Sequence, residues 1–445
     1  MNTLSKLFLV TSFLFAFSMA ASAADRPNIV LIMADDMGYE CLSANGSLDH
    51  KTPHIDALAA AGLRFEHCYS QPICTPSRVK LMTGKTNKRN YVKFGKLDRQ
   101  QTTFAHILKD AGYKTCIAGK WQLGNEVDAP QHFGFDQACL WQHTRSGRSK
   151  EKGKNFDRRY VNPLIEQNGE ERDYVDGEYG PQVCTDFICD FIDKNSDQPF
   201  LVYYPMILTH CPFDPTPDST DWDPKRLGST TYKGDRNDPQ RLFRDMVAYV
   251  DKTIGKLDAT LEEAGVRDNT LLMFVGDNGT DTPIVTNTTF GKVVGAKGQM
   301  IDAGNHVPCF ISWPGVIRKG RVVQDIIDFS DFLPTICEAT GAKIPGDLTI
   351  DGQSFLPQLK GETGTPRDSI YMWYSRNGVV KQAQVFARNQ RYKLYETGKF
   401  YDVPNDRLEK HPLDDATLSD EQRRIKAVLQ THLDRFAEIK PVNAK

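Results

Sequence analysis

Asn28-Ile29-Val30-Leu31-Ile32-Met33-Ala34-Asp35-Asp36 is the stretch from which the fold can be read. An unbroken apolar run, without polar alternation, suits a strand covered on both faces. It stops at two adjacent carboxylates. In open α/β sheets ligands bind beyond the carboxyl ends of the strands, and two like charges placed there call for a cation. The same plan returns three times. Residues 113–118 run into Gly119-Lys120-Trp121-Gln122-Leu123-Gly124, residues 200–204 lead to Thr209-His210-Cys211-Pro212, and residues 270–275 end in Gly276-Asp277-Asn278-Gly279. Stretches with helical periodicity lie between them, at 52–62, 104–111, 183–194 and 241–263. The expectation is an α/β protein with a large mixed, mostly parallel sheet between helices. Asp35, Asp36, Asp277 and Asn278 make an all-oxygen set, which favours calcium or magnesium over zinc.

A second stretch carries chemistry. In Cys74-Thr75-Pro76-Ser77-Arg78, Pro76 suits the first turn of a helix, Thr75 can cap it, and Gly84 can end it. Cys74 is then expected just before a helix N-terminus, where the dipole and free N–H groups favour an anion. Arg78, one turn in, can reach back towards it. On these residues alone, a structural cysteine beside a surface arginine is an equal alternative.

Cys74-Thr75-Pro76-Ser77-Arg78 with Leu81-Met82-Thr83-Gly84 resembles the signature of the type I sulfatases, in the alkaline phosphatase superfamily. The resemblance extends over nearly the whole chain after residue 23. It implies that Cys74 is converted by a sulfatase-maturing enzyme to formylglycine, whose hydrate is the nucleophile. It implies a calcium ion, with magnesium the alternative, held by Asp35, Asp36, Cys74, Asp277 and Asn278. Arg78 would hold the nucleophile, while Lys120, His210 and Lys297 would bind sulfate, His210 also protonating the leaving oxygen. Gln122 stands where the family carries histidine, in Lys-Trp-His. Glutamine hydrogen-bonds but does not exchange a proton near neutral pH. His306 stands where arginine is usual and is expected beside substrate, with Lys292 a lesser alternative to Lys297.

The remaining bounds are compositional. The 445 residues suit a large core and two domains. A net charge of −2 gives no reason to propose nucleic acid. The apolar run 7–17 followed by Ala21-Ser22-Ala23 reads as a signal peptide over 1–23, so the product is expected in a periplasm or secreted, off the membrane after cleavage. The ten cysteines show neither a zinc pattern nor a scaffold spacing, leaving room for one or two bridges after export. Residues 143–182 read as a charged insertion near the site, and 213–239 as an irregular loop over it. A polar stretch ending at 366 divides a catalytic domain, 24–365, from a smaller α+β domain, 366–445, with an antiparallel sheet and one helix. The function expected is that of an arylsulfatase-like hydrolase acting on a sulfated carbohydrate. The rivals are a phosphate or phosphonate ester hydrolase of the same superfamily, and a non-catalytic protein that binds sulfated glycans.

Overall fold

A computed structural model describes residues 26–443, so the expected signal peptide lies outside the described residues. In chain order the strands begin with β1 (Asn28–Ala34), β2 (Leu63–Tyr69), β3 (Lys114–Lys120) and β4 (Gln137–Trp141). Two hairpins follow, β5 (Arg148–Glu151) with β6 (Lys154–Asp157), and β7 (Leu164–Gln167) with β8 (Glu170–Asp173). Next come β9 (Phe200–Pro205), β10 (Thr270–Gly276) and the hairpin of β11 (Val285–Thr288) and β12 (Gly291–Val294). After these lie β13 (His306–Val307), β14 (Cys309–Ser312) and β15 (Arg321–Asp328). The last four are β16 (Ile370–Tyr374), β17 (Gln384–Arg388), β18 (Tyr392–Tyr395) and β19 (Phe400–Asp402).

The main sheet has eleven strands in the order β13-β2-β14-β10-β1-β9-β3-β4-β7-β8, with β15 paired to β2. β1 runs parallel to both neighbours, β10 and β9, and β3 and β4 continue the parallel set. Its side chains divide cleanly between two apolar layers. Ile29, Leu31 and Met33 enter one, and Val30, Ile32 and Ala34 the other. Each buried aliphatic side chain of this kind contributes about 1.5–3 kcal/mol relative to exposure, which is why the run needs no polar alternation. The second layer is covered by α1 (Pro53–Ala61) and the helices Gly180–Lys194 and Pro239–Glu263. The first is covered by α2 (Cys74–Thr83) and the helices Phe104–Asp110 and Phe332–Thr340.

The C-terminal strands form a separate antiparallel sheet, β16-β17-β18-β19, backed by the helix Asp420–Ala437. Tyr371, Trp373, Val385 and Ala387 belong to the same apolar layer as Leu31. This smaller sheet therefore shares a core with the large one.

Several local details differ from expectation. Residues 143–182 hold both hairpins β5–β6 and β7–β8, which their composition does not show, and β7 joins the main sheet against β4. The helix expected from residue 183 starts at Gly180, with Pro181 in its first turn. Helix α2 begins at Cys74 itself, with Ile73 in the capping position and no side-chain cap. Thr75 is instead spent on a loop, its hydroxyl accepting from the Gly95 N–H at 3.2 Å. Thr52 makes no cap either; its hydroxyl pairs with Ser43 Oγ at 2.7 Å. All ten cysteines are free thiols, nine of them buried.

Candidate active site

Four strand ends converge. Asp35 and Asp36 follow β1, Asp277 and Asn278 follow β10, Lys120 is the last residue of β3, and His210 lies five residues beyond β9. Parallel pairing puts these ends on one edge of the sheet, as the position rule for open α/β sheets requires. Helix α2 delivers Cys74 and Arg78 to the same place. All ten of its residues are buried, and it stops at Gly84, whose φ of 65° suits a glycine and whose N–H donates to Lys80 O at 3.0 Å.

Charges alternate through the centre. Lys120 Nζ donates to Asp35 Oδ2 at 2.7 Å, and Lys297 Nζ to Asp36 Oδ2 at 2.6 Å. Arg78 Nη2 lies 3.8 Å from Asp35 Oδ2 and 3.9 Å from Asp277 Oδ2. Its Nη1 donates to Lys120 O at 2.6 Å. Asn278 Nδ2 donates to Asp36 Oδ1 at 2.8 Å, and the Asp36 N–H to Asp277 Oδ1 at 2.9 Å. Burial works against the Asp35 carboxylate, but Lys120, Arg78 and Lys297 outweigh it and hold its pKa below the ordinary value. Burial, reinforced by Asp35 and Asp36, pushes Asp277 well up, and Arg78 and Lys120 do not make up the difference.

That imbalance fits a cation. Asp35 Oδ1, Asp277 Oδ2 and Asn278 Oδ1 are buried and accept no hydrogen bond. Three buried, orphaned oxygens are costly unless something satisfies them. One ligand atom each from Asp35, Cys74 and Asp277 lies within 4.8 Å of the others. The donor set is oxygen-rich and anionic, suited to a hard divalent ion.

Cys74 Sγ donates to Gln122 Oε1 at 3.3 Å. Burial raises the thiol pKa despite Lys120 nearby, so the thiolate, the nucleophilic form, is disfavoured. Gln122 sits at φ 50° just past β3. His210 has Nε2 3.7 Å from Asp36 Oδ2, while Nδ1 lies 2.7 Å from Arg159 Nη1 and 2.5 Å from Cys211 O. Burial, then Lys297, Lys120 and Arg159, hold His210 well below its ordinary pKa, so the ring is neutral. The two contacts select opposite tautomers: a guanidinium has only donors, so Arg159 bonds Nδ1 when the ring hydrogen is on Nε2, whereas the Cys211 carbonyl accepts from Nδ1 when the hydrogen is there. Arg159 is itself fixed by Asp157 through two 2.8 Å bonds and lies 4.3 Å over the Trp141 ring.

These groups line one cavity of about 280 Å³ with Cys74, Lys120, Gln122, His210 and Lys297 on its wall. His306 does not join it. It lines a different cavity, stacked between Tyr39 at 4.2 Å and Tyr69 at 4.9 Å, its Nδ1 3.4 Å from Asp302 Oδ2. His306, expected beside substrate, thus stands apart from the Cys74 cavity, on β13 where that strand pairs with β2. Lys292 lines that second cavity too. The site is also lined by Arg148 and Arg159 from the 143–182 insertion, Tyr232 from the 213–239 loop, and Trp141 and Arg376, none of them singled out individually from the sequence. Asp157-Arg158-Arg159, an acid beside two arginines next to apolar Tyr160-Val161, was the available signal.

The profile of the Sulfatase family matches residues 27–342, and that of the N-sulphoglucosamine sulphohydrolase C-terminal family matches 296–438. N-acetylgalactosamine-6-sulfatase of Mus musculus is 30% identical over 371 residues, 77% of this chain and 68% of that protein. Arylsulfatase A of Homo sapiens is 30% identical over 414 residues, 86% of this chain and 77% of that protein. Among solved structures, a protein in complex with its substrate D-glucosamine-2-N,6-O-disulfate superimposes with a TM-score of 0.75. It is 23% identical and covers 94% of this chain and 100% of its own. The fold is thus alkaline phosphatase-like, and the chain belongs to the sulfatase family and is a sulfatase, an enzyme that hydrolyses sulfate esters.

Proposed function

We propose that the protein removes sulfate from a sulfated carbohydrate, with Cys74 oxidised to formylglycine and calcium bound at Asp35, Asp36, residue 74, Asp277 and Asn278. The observation that carries this reading is Cys74, buried at the first turn of α2, beside Asp35 and Asp277, whose oxygens include buried ones that accept no hydrogen bond. When present, the cation would supply Lewis acidity toward a sulfate oxygen, and the hydrated aldehyde a hydroxyl nucleophile. The chain's own residues do the rest. Lys120 and Lys297 present ammonium groups, each already fixed by a carboxylate, towards the charge that builds on sulfate oxygens. Arg78 anchors the carboxylates behind residue 74. His210, neutral and in the tautomer that the Arg159 contact selects, donates from Nε2 towards the leaving oxygen. Gln122 orients the hydroxyl at position 74 without taking its proton.

Carbohydrate as the substrate class is supported by the names of the related sulfatases and by a solved relative's amino-sugar ligand. The division into domains 24–365 and 366–445 belongs to the same proposal, with the separate β16–β19 sheet in support. So does export to a periplasm or beyond, which rests on the apolar run 7–17 and Ala21-Ser22-Ala23. The deciding experiment is mass spectrometry of the tryptic peptide 65–78 from protein made beside an active maturing enzyme, with turnover of aryl sulfate and aryl phosphate. Formylglycine at 74 and faster sulfate release are expected. Unmodified Cys74 would sink the mechanism, and faster phosphate release would move the activity to the phosphoester hydrolases.

A further inference from the structure

The cations at the buried end of the cavity are all matched. Lys120 is paired with Asp35, Lys297 with Asp36, and Arg78 lies between Asp35 and Asp277. The outer part is different. Arg159 and Arg148 share a single carboxylate, Asp157; Arg159 takes it at 2.8 Å and leaves Arg148 Nε at 3.7 Å. Lys233 and Asp281 pair with each other. Arg376, reaching in from the loop after β16, lines the cavity and forms no ion pair among the described residues. Its guanidinium lies 5.6 Å from the Phe94 ring centre, and Tyr91 Oη donates to its carbonyl at 2.7 Å. The Phe94 loop is tied in turn to α2 through the Gly95–Thr75 bond. So the outer wall keeps uncompensated positive charge on a braced platform, with an aromatic face beside it.

We propose that this wall is a second anion subsite, built by Arg376 and Arg148, and that the substrate is a sugar carrying another anionic group, sulfate or carboxylate, besides the sulfate that is cleaved. The argument is charge complementarity. A ligand whose scissile sulfate reaches Cys74 must lay its remainder against the outer wall of a small cavity. A neutral remainder would leave Arg376 without a carboxylate and Arg148 with only its distant share of Asp157, whereas an anion gains bidentate, charge-assisted bonds. Phe94 offers an apolar ring for the sugar face. The inference rests on the sulfatase reading above and adds the substrate class to it.

The test compares mature, calcium-loaded enzyme on four substrates: 4-nitrophenyl sulfate, a neutral monosulfated sugar, the same sugar disulfated, and the same monosulfated sugar linked to a uronic acid. We expect kcat/KM at least tenfold higher for one or both sugars bearing the extra anion, carried mainly by KM and weakened by salt. Arg376→Ala and Arg148→Ala should collapse that ratio towards one. Preference for the disulfated sugar alone identifies sulfate as the second group, and preference for the uronate alone identifies carboxylate. A ratio near one in the unsubstituted enzyme, or variants that preserve it, overturns the subsite. Failure on every substrate, 4-nitrophenyl sulfate included, would instead defeat the reading of Cys74. Calorimetry on unmatured protein with the same sugars then decides the subsite alone: tighter binding of the dianionic sugars, lost in Arg376→Ala, supports it, and equal binding of all sugars rejects it.

Discussion

At the level of single residues, each ammonium in the site has two tasks, and they can be separated. Lys297 neutralises Asp36 at 2.6 Å and, in the proposed mechanism, also faces sulfate. Lys297→Ala is expected to lower kcat/KM by about 10²–10³-fold, the usual cost of losing a preorganised electrostatic partner. It should also lower the melting temperature, because Asp36 loses its cation; turnover and thermal melts on one preparation show both. Arg159 acts through another group. Arg159→Met removes the donor to His210 Nδ1, so the fall in kcat should be tenfold or more on a sugar sulfate and small on 4-nitrophenyl sulfate, whose leaving group needs no proton. Equal losses on both would count against the positioning role. Part of this site can be read from residue types alone, since Asp35-Asp36 and Asp277-Asn278 are oxygen pairs that end apolar strands, whereas Lys120, His210 and Lys297 are reached through the family resemblance. Asp157-Arg158-Arg159 marks charge near the site, but the contact of Arg159 with His210, 51 positions away, is not recorded by any local pattern.

Among elements, α2 is unusual in burying an ammonium, and its anchorage is testable. Lys80 Nζ donates to Asp328 Oδ2 at 2.7 Å, and Asp328 also accepts from the Ser330 N–H at 2.8 Å. Removing one partner of a buried pair typically costs about 3–5 kcal/mol, while replacing both with apolar residues is often neutral. Lys80→Met should therefore destabilise strongly in urea, and Lys80→Met with Asp328→Leu should recover most of the loss. The strands β1, β3, β9 and β10 are legible because burial on both faces demands continuous apolar residues. The hairpins β5–β6 and β7–β8 are not, because Arg148–Glu151 and Glu170–Asp173 are charged and largely exposed. Their backbone pairing supplies the order that their composition conceals.

For the whole molecule, pH acts through buried imidazoles away from the catalytic centre. Burial holds His50, His67 and His432 at a pKa of about 4, against 6.5 for a free histidine. A lowered histidine pKa means that the unfolded chain binds protons first. Stability is thus fully present above pH 6.5 and is lost as pH falls from 6.5 towards 4, and melting temperatures measured across that range should fall accordingly. Calcium should act in the opposite sense, raising the melting temperature with concentration as binding to the folded state alone requires. A chelator should reverse it by restoring the carboxylate imbalance around Asp277. One feature of α2 reaches beyond the finished molecule. Cys74 is 1% exposed, and Thr75, Ser77 and Arg78 are no more accessible. Under the proposed maturation of Cys74, an oxidising enzyme could not close around a segment held this way, and its window would be the interval before the chain folds. Maturation and folding would then be competitors in time: a chain that folded first would keep the thiol, and the yield of active enzyme would be set by a race between two rates.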